Sequence, residues 1–187
     1  MKDTYHHGNL RVELIEKGLE YIDRYGVETL SMRKLADSVG VSSAAPYAHF
    51  KNKDAFLSAV RDYINEQFYN SLKETLDNTK DEKRILPELG KRYVMFFHEN
   101  PLYYQFLFFS CNDRWDTNPS FVFFNDIAGE IISRSYKNKI DEKTLNAKVI
   151  ALWSMVHGLS QIVNIEGKID NDNLEEEIDR ILYSVMV

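Results

Sequence analysis

The 187-residue chain is 44% hydrophobic and 28% charged, with eight glycines, four prolines and a formal net charge of −6. That balance supports a folded core and excludes a low-complexity or strongly basic chain. A polar N-terminus, the lack of 18 consecutive apolar residues and a single cysteine, Cys111, argue against a signal peptide, a membrane span and a disulfide framework, so the expected location is the cytoplasm.

No strand-like alternation is sustained between turn signals, so the expected fold is all-α, with about nine helices. Residues 5–8 are short and polar, either a disordered terminus or an arm that reaches a phosphate or a minor groove. Asn9 is placed to cap a first helix, in which Leu10, Leu14, Gly18, Leu19, Ile22 and Tyr25 recur at helical spacing before Gly26 stops it.

Residues 31–53 read as a helix, a tight turn, a second short helix and a basic exit. Ser31 caps the first of these helices, Leu35, Ala36 and Val39 form its inner face, and Gly40 suits the left-handed residue that ends it. Val41 plugs the corner, and Ser42 or Ser43 is placed to cap the second helix, with Pro46 in its first turn. The outward residues of that helix are small or flat, as a helix lying in a major groove requires, and His49, Lys51 and Lys53 follow as phosphate donors. From spacing alone, the alternative is a helical corner that packs a core and touches no nucleic acid.

Val41-Ser42-Ser43 followed by Tyr47-x-His49-Phe50-Lys51-Asn52-Lys53 resembles the recognition helix and the next helix start of the tetracycline-repressor (TetR) family, and the resemblance is strongest over residues 8–60. It implies a helix-turn-helix domain over residues 1–53 and a C-terminal ligand-binding and dimerisation domain over residues 54–187. It also implies a homodimer that binds a palindromic double-stranded DNA operator, usually represses, and leaves the DNA when a small molecule enters the C-terminal domain. By that resemblance Ser42, Ser43, Ala44, Ala45 and Tyr47 face the groove, while Thr29 or Ser31, Arg33, Tyr47, His49 and Lys53 hold phosphates. The net charge fits such a division. Residues 1–53 carry eight basic and seven acidic side chains, whereas the remainder carries 15 basic and 22 acidic, so the acidic excess lies outside the expected DNA-facing part.

Asn52 is placed to cap a helix from Lys53 to about Thr79 with Phe56, Val60, Tyr63, Ile64 and Phe68 on its apolar face, and residues 77–83 read as a turn. In the TetR family this helix links the two domains. Twelve aromatic residues then fall within residues 93–124. Helices are expected over residues 84–98, from Asn100-Pro101 to about Ser110, and from Pro119 to about Tyr136, with a polar loop at 111–118. The rings read either as core or as the wall of an apolar cavity. The family's pocket-forming helices make Tyr93, Phe96, Phe97, Tyr103, Phe106, Phe121, Phe124, Trp153 and His157 its expected lining.

Asp141 is placed to cap a long helix that ends near Gly167, and Asn173 a last one. Ser154, Gly158, Ile162, Ile178, Ile181, Leu182 and Val185 form the expected dimer face on this helix pair. Trp153-Ser-Met-Val-His157-Gly158 resembles the Trp…His-Gly (WHG-type) signature of one TetR subgroup. His157 is open to three readings: pocket, dimer seam, or a structural histidine with its hydrogen bonds satisfied.

No phosphate-binding glycine loop, His-Glu-x-x-His, cysteine pair or Gly-x-Ser-x-Gly is present, so neither a catalytic site nor a metal or other cofactor is expected. The other functional class left open is a small-molecule-binding or scaffold protein whose helix-turn-helix has lost sequence-specific DNA binding, because alanines at 44 and 45 offer bases few hydrogen bonds.

Overall fold

The computed structural model describes residues 10–108, 119–165 and 173–186. Among the described residues there are eight α-helices, two short 3₁₀ turns and no strand. The helices are α1 (Leu10–Tyr25), α2 (Met32–Val39), α3 (Lys53–Asn78), α4 (Glu82–Glu99), α5 (Pro101–Phe108), α6 (Pro119–Ser135), α7 (Glu142–Ile162) and α8 (Leu174–Met186). None of the described helices is long and apolar enough to cross a membrane. The expected Asn9 cap, the N-terminal arm, the 111–118 loop with Cys111, the end of the second aromatic helix at Ser110 and the stop near Gly167 lie outside the described residues.

The chain forms two compact units, Met1–Ile64 and Asn65–Val187. In the first, Leu14, Ile15, Leu35, Phe56, Val60 and Ile64 are fully buried, so the opening turns of α3 pack with α1 and α2. The division expected after residue 53 therefore falls short of where the packing changes. Local chemistry explains why α3 starts where it does: the Asn52 side chain accepts the Ala55 N–H at 2.8 Å, pairing one of the donors a first turn leaves open. Tyr25, expected in the α1 stripe, is instead 53% exposed, with its ring 4.8 Å from that of Tyr21 on the same helix, and Gly26 follows at φ 81°.

In the second unit α4 packs against both α7 and α8, and its Tyr93, Val94 and Phe97 lie in a core shared with Phe68, Phe124, Val156, Ile178 and Leu182. Pro87, buried in the second turn of α4, leaves the helix continuous to Glu99. Asp141 caps α7 by accepting the Thr144 N–H at 3.0 Å, and its carboxyl is held below the ordinary value first by hydrogen bonding with the Thr144 side chain and then by that N–H. Lys91 joins α4 to α8, with its ammonium 3.0 Å from Asp179 and 3.2 Å from Glu175.

Candidate nucleic-acid interface and aromatic cluster

The corner between α2 and the residues that follow it is built from backbone chemistry. Ser31, extended at φ −133°, accepts the Lys34 N–H on its hydroxyl oxygen at 3.3 Å and starts α2. Gly40, at φ 75° and ψ 29°, ends it. The Val41 N–H reaches back to the Ala36 carbonyl at 3.1 Å and the Gly40 N–H to Asp37 at 3.3 Å, which is the double bond of a Schellman stop. A β-carbon at Gly40 meets open space, so the requirement for glycine comes from the positive φ alone.

The second element of the corner is a 3₁₀ turn, Ala45–Ala48, rather than an α-helix. No side chain caps it, contrary to the expected role of Ser42 or Ser43; the Ala45 N–H is instead taken by the Ser42 carbonyl at 2.9 Å. Pro46 and Phe50 are buried and anchor the turn from inside. Ser42, Ser43, Ala44 and Tyr47 are exposed, Tyr47 at 57%, and together form an outward face. Ala45 is half-buried and less available than expected, while Ala48, four residues after Ala44, is exposed on this surface and was not anticipated.

The expected phosphate holders divide by what they already do. Arg33 is exposed and makes no ion pair among the described residues. The Thr29 hydroxyl lies 3.0 Å from the carbonyls of both Tyr25 and Gly26, and so closes the α1–α2 connection. Lys34 donates to the Thr29 carbonyl at 2.9 Å, and the half-buried Lys53 donates to the Val27 carbonyl at 2.7 Å. Each ammonium retains two further donors. Hydrogen bonds to Thr29 and then to Lys34 lower the Tyr21 hydroxyl's pKa from its ordinary value. His49 is half-buried, with its ring 6.2 Å from that of Phe50.

The residues expected to line a pocket form a connected set of ring contacts in the second unit. The Tyr93 ring lies 5.2 Å from Phe97 and 5.7 Å from Phe124, Phe96 lies 6.0 Å from Tyr103, and Phe121 meets Trp153 edge-on at 5.0 Å. Phe106 is also buried. His157 sits among them, stacked on Trp153 at 4.5 Å, with Tyr104 and Phe108 of α5 on its other sides. Its Nδ1 is 3.1 Å from the Tyr93 hydroxyl and its Nε2 is 2.7 Å from the Tyr104 hydroxyl. Since a neutral imidazole donates from one nitrogen and accepts at the other, it satisfies one tyrosine in each sense. Both ring nitrogens of His157 are thus paired within this cluster.

Burial pushes the Tyr104 hydroxyl up to about 12 and the enclosed Tyr93 hydroxyl well above its ordinary value, and it lowers His157. A histidine whose folded pKa lies below about 6.5 stays neutral in the folded state while the unfolded chain takes up a proton. The second unit is therefore expected to lose stability as pH falls below about 6.5, and His157→Gln to flatten that part of the profile. Urea midpoints measured from pH 7.5 to pH 5 decide it, and an unchanged slope in the variant speaks against His157 as the source.

A cavity of about 610 Å³ lies elsewhere in this unit, between the start of α4, the end of α6, the middle of α7 and the end of α8, and none of the nine expected lining residues borders it. The expected dimer face also divides. Ile178 and Leu182 are fully buried in their own core and are withdrawn from that face, because α8 turns this side toward α4. Ile181 is half-buried, and Val185 is 67% exposed. On α7, Ile150, Ser154, Gly158 and Ile162 follow one another at intervals of four, and the two isoleucines are 47% and 45% exposed.

Residues 14–60 match the family model described as bacterial regulatory proteins, tetR family. Among curated relatives, the nucleoid occlusion factor SlmA of Aliivibrio fischeri is 30% identical over 94 residues, covering 50% of this chain and 48% of its own length. The tetracycline repressor protein class G of Vibrio anguillarum is 30% identical over 100 residues, 54% of this chain and 41% of its own. The chain thus spans about half the length, or less, of the curated relatives it matches. A solved transcriptional regulator of the TetR/AcrR family from Thermobifida fusca aligns over 95% of this chain and 98% of its own, at a TM-score of 0.75 and 16% identity. Residues 14–60 therefore match the tetR-family model of bacterial regulatory proteins, on a chain that shares the fold of a solved TetR/AcrR regulator.

Proposed function

We propose that the protein is a DNA-binding transcriptional regulator, a homodimeric repressor that leaves a palindromic operator in the cytoplasm when a small apolar effector binds its second unit. The observation that carries this reading is the outward face of Ser42, Ser43, Ala44, Tyr47 and Ala48, which is flat, polar-tipped and held from behind by Pro46 and Phe50. Small residues let a backbone approach base edges closely, and Arg33 beside the N-terminus of α2 supplies a cation for the adjoining phosphate. The ridge of Ile150, Ser154, Gly158 and Ile162 supports pairing of two copies about a two-fold axis, because a self-complementary surface of small and apolar residues suits a close helix crossing. The Trp153–His157 stack gives the WHG-type signature a packing role within this reading.

Selection from random double-stranded DNA, followed by a gel shift on the enriched site, tests the proposal. A palindromic site is the expected product; failure to enrich any sequence would sink the regulator reading in favour of a small-molecule-binding or scaffold protein. Arg33→Ala is expected to weaken all sites alike and reduce the salt slope by about one, whereas Ala44→Asn changes the bases preferred. A uniform loss from both substitutions counts against Ala44 facing the groove.

A further inference from the structure

The cavity bounded by α4, α6, α7 and α8 has an origin in the packing just beside it. Gly90 lets α7 and α8 close onto α4: a β-carbon there would lie 3.2 Å from Val156 Cγ1, 3.2 Å from Met186 Cε and 3.3 Å from Leu182 Cδ1. One turn earlier, at Leu86, the same helices no longer fill the space, and the small Ala151 and Ser135 leave it open. Its walls are Leu86, Ile132, Leu152, Met155 and Met186. Its volume of about 610 Å³ falls within the range of small-molecule sites, roughly 300–1,000 Å³. Two methionines give the walls an adaptable surface.

The rim carries two lysines and one glutamate. Lys83 and Lys148 border the cavity, and neither makes an ion pair among the described residues; the Lys148 ammonium lies 5.2 Å over the Tyr136 ring. The acidic lining residue, Glu82, is already engaged by Arg134 at 3.0 Å, and Arg134 also pairs with Glu130. A half-open apolar cleft edged by two lysines without ion pairs among the described residues, with its one lining carboxylate already paired, favours a molecule that is greasy along its length and negative at one end.

We propose that this cavity binds an amphipathic anion, a hydrocarbon chain ending in a carboxylate, with the chain along the α4, α7 and α8 walls and the head group at Lys83 and Lys148. This deepens the effector half of the proposed function by naming the site and the ligand class, and it rests on that reading only for its regulatory consequence.

The test uses the full chain without DNA, titrated calorimetrically with decanoate, 1-decanol and decylammonium, each below its aggregation threshold. Decanoate is expected to bind and to raise the melting temperature, since a ligand of the folded state stabilises it. Ala151→Trp, at an exposed position on the cavity edge, is expected to weaken decanoate by at least about tenfold by filling the space. Lys83→Glu with Lys148→Glu is expected to weaken decanoate by about tenfold and leave decanol within about twofold. The proposal is overturned if decanoate does not bind, if Ala151→Trp binds it unchanged, or if decylammonium binds as tightly as decanoate. It is equally overturned if Ala151→Trp splits a dimer in sedimentation while decanoate is inert, which makes the cavity a seam between two copies. None of these readouts involves an operator, so loss of DNA binding alone leaves this proposal standing, and a failed titration leaves the operator selection untouched.

Discussion

Gly18→Ala is expected to destabilise the first unit by about 1–3 kcal/mol, although the same exchange in an isolated helix gains roughly 0.5–1 kcal/mol. A β-carbon at this position would stand 2.3 Å from Phe56 Cζ and 3.1 Å from Leu35 Cδ1. The Phe56 ring has no room to retreat, because it is fully buried and meets Phe50 edge-on at 5.2 Å. Packing therefore decides the sign against intrinsic propensity. Phe56→Leu in the Gly18→Ala background is expected to recover part of the loss, since the two sites share one clash and do not add. Urea denaturation, with amide exchange to resolve the first unit, measures both; a Gly18→Ala protein as stable as the parent contradicts the close approach of α1 and α3.

The second large effect is expected at His157. Replacing it with leucine removes the ring nitrogens that pair with the Tyr93 and Tyr104 hydroxyls, together with the stack on Trp153. Because Tyr93 is enclosed at 1% exposure, water reaches its hydroxyl poorly, and the change is expected to cost about 2–4 kcal/mol. Adding Tyr93→Phe and Tyr104→Phe is expected to restore at least half, since deleting both partners of a buried hydrogen bond is far milder than deleting one. If the triple variant is no more stable than His157→Leu alone, shape rather than hydrogen bonding holds the cluster.

Features governed by neighbouring residues were legible in the chain. The Ser31, Asn52 and Asp141 caps and the Gly40 stop depend on chemistry within five residues, and each forms where its motif stands. Assignment of helix faces was harder. Ile178, Ile181, Leu182 and Val185 share one apolar spacing, yet two of them close on α4 while Val185 points outward. Periodicity identifies an apolar stripe but does not say which neighbour covers it. The turn at Ala45–Ala48 departs from expectation for a related reason: Pro46 and Phe50 hold it by tertiary burial, and that contact exchanges Ala48 for Ala45 on the outside. The cavity had no local sign at all, since it arises where three helices separate beyond Gly90.

Two inward anchors on so short a turn separate maintenance of the corner from the identity of its surface. Pro46 and Phe50 carry the packing, and Ser42, Ser43, Ala44, Tyr47 and Ala48 are free to vary at little cost to it. A combinatorial library confined to those five positions would explore new partners on an unchanged scaffold, and descendants of this chain have the same latitude to drift in specificity while their fold stays put.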